Sequence, residues 1–209
     1  MKSKGHIGGL LLAGGSSRRM GEQTKQLLPL GDGCILSVAV SNALESELDP
    51  VVVVLGYQSE EIRAELAGFL DHPKIVVTKN PRYGLGMSES IKEGIKILEN
   101  RTVAGAMILL ADQPRVTGEV IDRLIQAFRT SGKPICQPVY GGMAGNPVLF
   151  DRSLFPSLMK ITGDQGGRSI LREHPEWVEQ VLFANADTGV DLDTPESYER
   201  FREESEESE

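Results

Sequence analysis

Histidine and cysteine, on which many active sites and most zinc sites are built, are scarce in this chain of 209 residues. The two cysteines, Cys34 and Cys136, lie far apart with no CxxC or Cys/His spacing. That excludes a disulfide framework and a zinc site and leaves both as small packing residues. The three histidines, His6, His72 and His174, stand in polar surroundings with no partner at ligand or catalytic spacing, so none is assigned a catalytic task. Ser17, Ser88 and Ser90 have no triad arrangement, which removes the serine hydrolases. Long apolar runs are missing as well. Val51 to Leu55 and Ala106 to Ala111 are of strand length, far below the roughly 20 residues of a membrane span. The start, MKSKGHIGGLLLAGG, runs into charged SSRRMG without a plausible cleavage site, so a cytoplasmic chain making no membrane contact is expected.

Positive charge is also in deficit. Against 30 Asp and Glu there are 22 Lys and Arg, a net charge of −8, and half of it sits in the final ERFREESEESE. The rest of the chain offers no broad field for polyanions, so nucleic acid is excluded as a partner and any phosphate site must be local. Residues 203–209 are too polar to pack and are expected to be a disordered acidic tail. The remainder, 1–202, is expected to form one domain: 40% hydrophobic and 25% charged residues are ordinary globular proportions, and no linker or fixed-period repeat divides the chain.

Within that domain, β-rich runs alternate with helical patterns. IGGLLLA (7–13), PVVVVLG (50–56), KIVVT (74–78) and AGAMILLA (104–111) are continuously apolar, the mark of strands buried on both faces. Between them, residues 35–44 have helical spacing, Ile62, Leu66 and Phe69 form one stripe, and Met87, Ile91, Ile95 and Leu98 form another. Thr117 is placed to cap a helix whose apolar face is Val120, Ile121, Leu124, Ile125 and Phe128. This order predicts an α/β fold of three layers around a mainly parallel, twisted sheet. After residue 133 the pattern loosens, and ICQPVY, NPVLF and WVEQVLF predict a mixed C-terminal part.

Chemistry concentrates where the strands end. The first runs into Gly14 and Gly15, then Ser16, Ser17, Arg18, Arg19, Gly21 and Lys25. Glycines admit backbone N–H groups to an anion and Arg and Lys add charge, so this reads as a polyphosphate cradle, although it matches neither GxxxxGK[ST] nor GxGxxG. Asp112 follows the apolar strand in ILLADQP, where open α/β sheets hold ligands, and is a hard oxygen donor suited to Mg²⁺. In DLDTPESYERF, Asp191 and Asp193 precede Thr194; Thr or Asp caps the last helix, and one carboxylate is left free. NPRYGLGMSES and TGDQGGRSIL each carry glycines just before a helix start, and Arg168 adds a fixed positive charge. Carboxylates from distant segments plus a basic loop are the ingredients of metal-assisted phosphoryl or nucleotidyl transfer.

Taken in order, LAGGSSRRMGEQTKQLLP, NPRYGLGMSESI, LLADQP, GNPVLF, GDQGGRSIL and DLDTP resemble the molybdopterin nucleotidyltransferases, most of all their cytidylyltransferase branch, over residues 7 to 200. The resemblance implies a GT-A-like fold and joining of CMP from CTP to the terminal phosphate of molybdopterin, the molybdenum cofactor precursor, with release of pyrophosphate. It implies that Arg19, Lys25, Asp112 and Asp191 are catalytic and that Asp112 and Asp191 bind Mg²⁺. Leu12, Ala13, Gly14, Gly15, Asn80, Gly86 and Ser88 would join Arg19, Lys25 and Asp112 in holding the nucleotide. Asn146, Gly163, Asp164, Gly166 and Arg168 would face the acceptor, and a recipient molybdoenzyme or its chaperone would be a partner. One departure bears on the base. The cytidylyltransferase branch reads LAAG where this chain reads LAGG, the habit of the guanylyltransferases, so GTP stands as the alternative donor. Asn146 stands where relatives often have His. A noncatalytic cofactor-binding or chaperone-like module is the alternative from another class, and the joint presence of Arg19, Lys25, Asp112 and Asp191 argues against it.

Overall fold

The β-rich runs form adjacent strands of one sheet in a computed structural model that describes residues 5–15 and 24–206, with side chains to 204. In chain order the strands are β1 (His6–Ala13), β2 (Pro29–Leu30), β3 (Gly33–Cys34), β4 (Leu48–Leu55), β5 (Ile75–Lys79), β6 (Val103–Leu110), β7 (Ile135–Tyr140), β8 (Met143–Ala144), β9 (Val148–Asp151) and β10 (Val178–Phe183). The α-helices are α1 (Ile35–Glu45), α2 (Ser59–Glu65), α3 (Met87–Glu99), α4 (Gly118–Ser131), α5 (Phe155–Leu158), α6 (Arg168–Glu173) and α7 (Pro195–Glu206). The main sheet runs β10-β7-β9-β6-β1-β4-β5, with β8 paired to β7. Pairs β1/β4, β1/β6, β4/β5 and β7/β10 are parallel, while β9 runs antiparallel to both β6 and β7. The sheet is mainly parallel and mixed toward its C-terminal part, as the pattern predicts.

The continuous apolar runs have a direct physical reason. Side chains alternate across a strand, so a strand covered by helices on both faces needs apolar residues at every position. In β1, Ile7, Leu11 and Ala13 pack with α1, α4 and Ile62 of α2, while Leu10 and Leu12 pack with Ile91, Ile95 and Leu98 of α3 on the other face. In β4, Val51 and Val53 face the first layer and Val52 and Val54 the second. All four valines are fully buried, and burying each such side chain stabilises the fold by about 1.5–3 kcal/mol. This gives helix, sheet and helix layers.

Two boundaries differ from the sequence pattern. The stripe read as one helix to Phe69 breaks into α2 and a separate three-ten turn at Ala67–Phe69, where Gly68 lowers helix propensity. Thr117 does occupy the N-cap of α4, but its side chain makes no capping bond; its carbonyl accepts from the Ile121 N–H at 3.1 Å. A larger difference is at the C-terminus, where α7 carries the acidic stretch as helix to Glu206 instead of leaving it disordered from residue 203. Arg115 explains this: it pairs with Glu204 and lies over the Phe201 ring at 4.6 Å. Leu192 and Tyr198 also bury against Leu28, Leu30 and Ile35. Residues 207–209 lie outside the described residues.

The strand order sets the functional edge. The chain leaves β1 to build β4 and β5 on one side, then returns to lay β6 on the other. Such a reversal opens a crevice at the strands' C-terminal ends, where the connecting segments diverge.

Candidate active site

At that crevice, the end of β1 supplies Leu12 and then Gly14 and Gly15, while Ala13, read from the sequence as nucleotide-facing, is fully buried in the core and does not line it. The end of β6 supplies Asp112 through the register Leu12↔Leu110 and a 3.2 Å bond from Ala111 N–H to Leu12 carbonyl. The two strongest sequence signals are neighbours because their strands are neighbours. Gly14 lies against Gly56, which follows β4. A Cβ on Gly56 would come within 2.7 Å of the Gly14 carbonyl oxygen and 2.7 Å of Tyr83 Cβ, so only glycine lets the two turns close on one another.

Arg19, with Ser16, Ser17, Arg18 and Gly21, falls within residues 16–23, outside the described residues. Lys25 is described and buried. Its ammonium donates to Asp112 and, at 2.5 Å, to Asp193 Oδ1. Burial alone would pull the lysine pKa down, but the two carboxylates outweigh it and hold it above the ordinary value.

The C-terminal segment folds back over this edge. Leu192 N–H donates to the Asp112 carbonyl at 3.0 Å, and Gln113 Nε2 donates to Gly189 carbonyl at 3.0 Å and to Asp191 Oδ1 at 2.7 Å. Burial pushes the Asp191 carboxyl pKa up, the Asp112 charge adds to it, and the Gln113 hydrogen bond opposes both. Thr194 caps α7: its Oγ1 accepts from Ser197 N–H at 3.2 Å, and Ser197 Oγ accepts from Thr194 N–H at 3.1 Å. Neither aspartate is therefore spent on the cap. The cleft so formed has a volume of about 660 Å³ and is lined by Gly14, Gly15, Lys25, Asp112, Asp191 and Asp193, among others.

The other predicted residues divide. Gly86 lines the cleft at a φ of 109°, and a Cβ there would strike the Gly163 backbone at 2.6 Å. Gly163 receives the Ser88 N–H at 3.0 Å and Asp164 Oδ1 the Met87 N–H at 3.0 Å, so the loop read as nucleotide-facing and the loop read as acceptor-facing are docked together. Asp164 and Arg168 border the main cleft and also an adjoining pocket of about 100 Å³ that holds Asn146, Gly166 and Gln137. Asn80 does not line the cleft. It is fully buried, giving its amide to Ser90 Oγ at 3.0 Å while its Oδ1 accepts from Arg82 N–H at 2.8 Å, so its contribution is to hold Ser90, which does line the cleft. Ser88 Oγ is buried with no hydrogen-bond partner among the described residues.

Gln113 and Gly56 are among the residues of the site to which the sequence pattern assigns no role, and Asp193, which the pattern leaves as a cap or a free carboxylate, proves to be a partner of Lys25. A glutamine directly after a strand-end aspartate is a local hint; Gly56 and the pairing of Asp193 are placed by long-range contacts.

Whether the site suits a divalent cation can be judged from its donors. Among the described residues no group of three or more His, Cys, Asp and Glu side chains is arranged around a common point. Asp112 and Asp191 are nonetheless two hard oxygen donors close enough for one charge to raise the other's pKa. Mg²⁺ is commonly held by one or two carboxylates together with substrate phosphates, so a two-carboxylate set fits that ion as a shared ligand with a nucleotide.

The chain is 32% identical to the purine catabolism protein PucB of Bacillus subtilis over 93% of this chain and 95% of that protein. It is 28% identical to nicotine blue oxidoreductase of Paenarthrobacter nicotinovorans, over 93% and 96%. With the molybdenum cofactor cytidylyltransferase of Escherichia coli it shares 26% identity over 93% and 96%. Among solved structures, Rv0371c from Mycobacterium tuberculosis superposes with a TM-score of 0.82 at 27% identity, covering 96% of this chain and 99% of that one. Its complex with manganese superposes at 0.77 with 26% identity, over 95% and 98%. No helix among the described residues is long and apolar enough to cross a membrane. The model of the MobA-like NTP transferase domain matches residues 9–178, and the chain belongs to that family of nucleotidyltransferases.

Proposed function

We propose that the protein transfers CMP from CTP to the terminal phosphate of molybdopterin, releasing pyrophosphate, with Mg²⁺ as the metal. The observation that carries this reading is the meeting of Asp112, Asp191 and Lys25 at the mouth of the Gly14–Gly15 turn, on the edge where the sheet's strand order reverses. Gly14 and Gly15 bring backbone to the triphosphate, and Lys25 and Arg19 hold its oxygens against the charge that develops as pyrophosphate leaves. Lys25 can change partners without leaving the cleft, since its ammonium already stands between Asp112 and Asp193. Asp112 and Asp191 would hold Mg²⁺, which supplies charge neutralisation at the α-phosphate and on the leaving group. The attacking phosphate is largely ionised near neutral pH, so the chain need not supply a general base. Residues 163–168 and Asn146, around the smaller pocket, receive the acceptor. A recipient molybdoenzyme or its chaperone takes the product. The reaction is placed in the cytoplasm, where its nucleoside triphosphate is supplied, and the chain acts as a single catalytic domain that includes α7.

A second reading, transfer of GMP from GTP to the same acceptor, is favoured by one observation, the glycine at position 14. The deciding experiment incubates the protein with each nucleoside triphosphate, Mg²⁺ and molybdopterin, and reads pyrophosphate and the dinucleotide formed. Cytosine dinucleotide as the main product supports the proposal, and guanine dinucleotide moves the assignment to GTP. Absence of pyrophosphate with every donor would overturn transfer. Oxidation or reduction of an added redox dye without pyrophosphate release would favour the redox chemistry named for the Paenarthrobacter relative.

A further inference from the structure

We propose that Gln113 is the positioning residue for the metal-binding carboxylate, the side chain that fixes Asp191 opposite Asp112; this rests on the reading above that Asp191 holds the metal. Asp112 is set by the strand it ends. Asp191 has no such support, because it belongs to no strand and lies between a short three-ten turn at Ala186–Gly189 and the start of α7. What holds its segment to the sheet edge is a small zip. The Leu192 N–H bonds the Asp112 carbonyl, and the Gln113 amide spans from Gly189 carbonyl to Asp191 Oδ1.

The chemistry of the amide suits that task. Both neighbours of Gln113 Nε2 are acceptors, at 3.0 and 2.7 Å, so the two N–H bonds are both used and the amide cannot be flipped without setting oxygen against oxygen. The side chain is 3% exposed, and a buried amide with both donors engaged has little freedom to turn. One N–H ties down the backbone two residues before Asp191 and the other ties the carboxylate itself, so position and rotamer are set together. The bond uses Oδ1 and leaves Oδ2 of Asp191 for a cation. A threonine or alanine after the strand-end aspartate could not reach both acceptors. A glutamate would add a third negative charge beside Asp112 and Asp191. Partners of this kind, which orient a ligand without touching the metal, typically change metal affinity by about 10- to 100-fold when removed.

The test is Mn²⁺ binding to the full chain, followed by electron paramagnetic resonance with CTP present, and read apart from turnover. Three variants are compared: Gln113→Met, which keeps length and volume but no donor, Gln113→Asn, which keeps the amide but retracts it, and Asp191→Asn. The inference expects Gln113→Met to weaken Mn²⁺ binding by about tenfold. Turnover in that variant should recover substantially at saturating metal, because both carboxylates are still present. Gln113→Asn should weaken Mn²⁺ in the same direction, and serves as the test if the Met variant does not fold. Unchanged Mn²⁺ affinity in a folded Gln113 variant, with Asp191→Asn weakened, would overturn the role of Gln113 alone. Unchanged affinity in Asp191→Asn would overturn the metal reading on which it rests.

Discussion

Lys25→Met is the substitution with the sharpest structural consequence, because it leaves the length of the side chain and removes only the charge between Asp112 and Asp193. The lysine and Asp112 side chains are 11% and 15% exposed, and Asp193 is 35% exposed. Removing one partner of a buried pair costs about 3–5 kcal/mol, whereas an exposed pair contributes about 0–1 kcal/mol. With one partner nearly buried and the other a third exposed, a loss of about 3 kcal/mol is expected in metal-free protein. For a chain of this size that lowers the melting temperature by about 6–12 °C. The lysine pKa is raised in the folded protein, so the stability it contributes is fully present below the ordinary lysine value and is lost as pH rises through the folded one. The difference from wild type should therefore persist through neutral pH and narrow only in alkaline solution. Cation binding to the freed carboxylates stabilises by mass action, so Mg²⁺ should raise the melting temperature of the variant more than that of wild type. Calorimetry in EDTA and in Mg²⁺, at neutral and alkaline pH, measures all three. A variant melting within about 1 °C of wild type in EDTA would refute the reasoning, since a ~3 kcal/mol loss could not produce so small a shift. Turnover should fall by about a hundredfold or more even where Mg²⁺ restores stability, because the phosphate partner is gone.

The two carboxylates proposed to hold the metal, Asp112 and Asp191, should separate in stability although both lose turnover by at least about a hundredfold as Asn variants. Asp112→Asn breaks the pair with Lys25 and should melt lower in EDTA. Asp191→Asn should melt as high as wild type or higher, because its raised pKa means ionisation there opposes folding as pH rises through the folded value. The two melting curves measured side by side check this, and a lowered Asp191→Asn curve would contradict it. Arg168→Ala should raise the apparent KM for molybdopterin while leaving CTP affinity within about twofold, read from steady-state kinetics and nucleotide titration. Gly14→Ala should fold, since its Cβ would meet Gly56 and Ser90 at 3.4 Å, and should shift a CTP-against-GTP competition toward CTP by narrowing the room for a purine.

The amino-acid sequence by itself determined the layers and the edge on which the candidate site gathers. Runs such as Val51 to Val54 can be buried on both faces only in a sheet covered by helices, and α1, α3 and α4 follow from local spacing of apolar residues. Gly14, Gly15, Asp112 and Arg168 are legible because each follows a strand or opens a helix, and Lys25 and Asp191 because each lies in a charged segment next to one, and that placement is local information. The tertiary structure alone decided which of these groups meet and through what. Nothing within DLDTP distinguishes Asp191, held by Gln113, from Asp193, paired with Lys25, because the distinction is made by residues 78 and 168 positions away. Gly56 gains its importance only from the parallel pairing of β1 with β4. The end of the acidic C-terminus reads as solvated in composition, yet α7 continues because Arg115 and the apolar ridge of Leu28, Leu30 and Ile35 lie beneath it. Periodicity records which face of an element is buried, but not what buries it. The electrostatics of a cleft depend on that second fact, because charges interact through space and not along the chain.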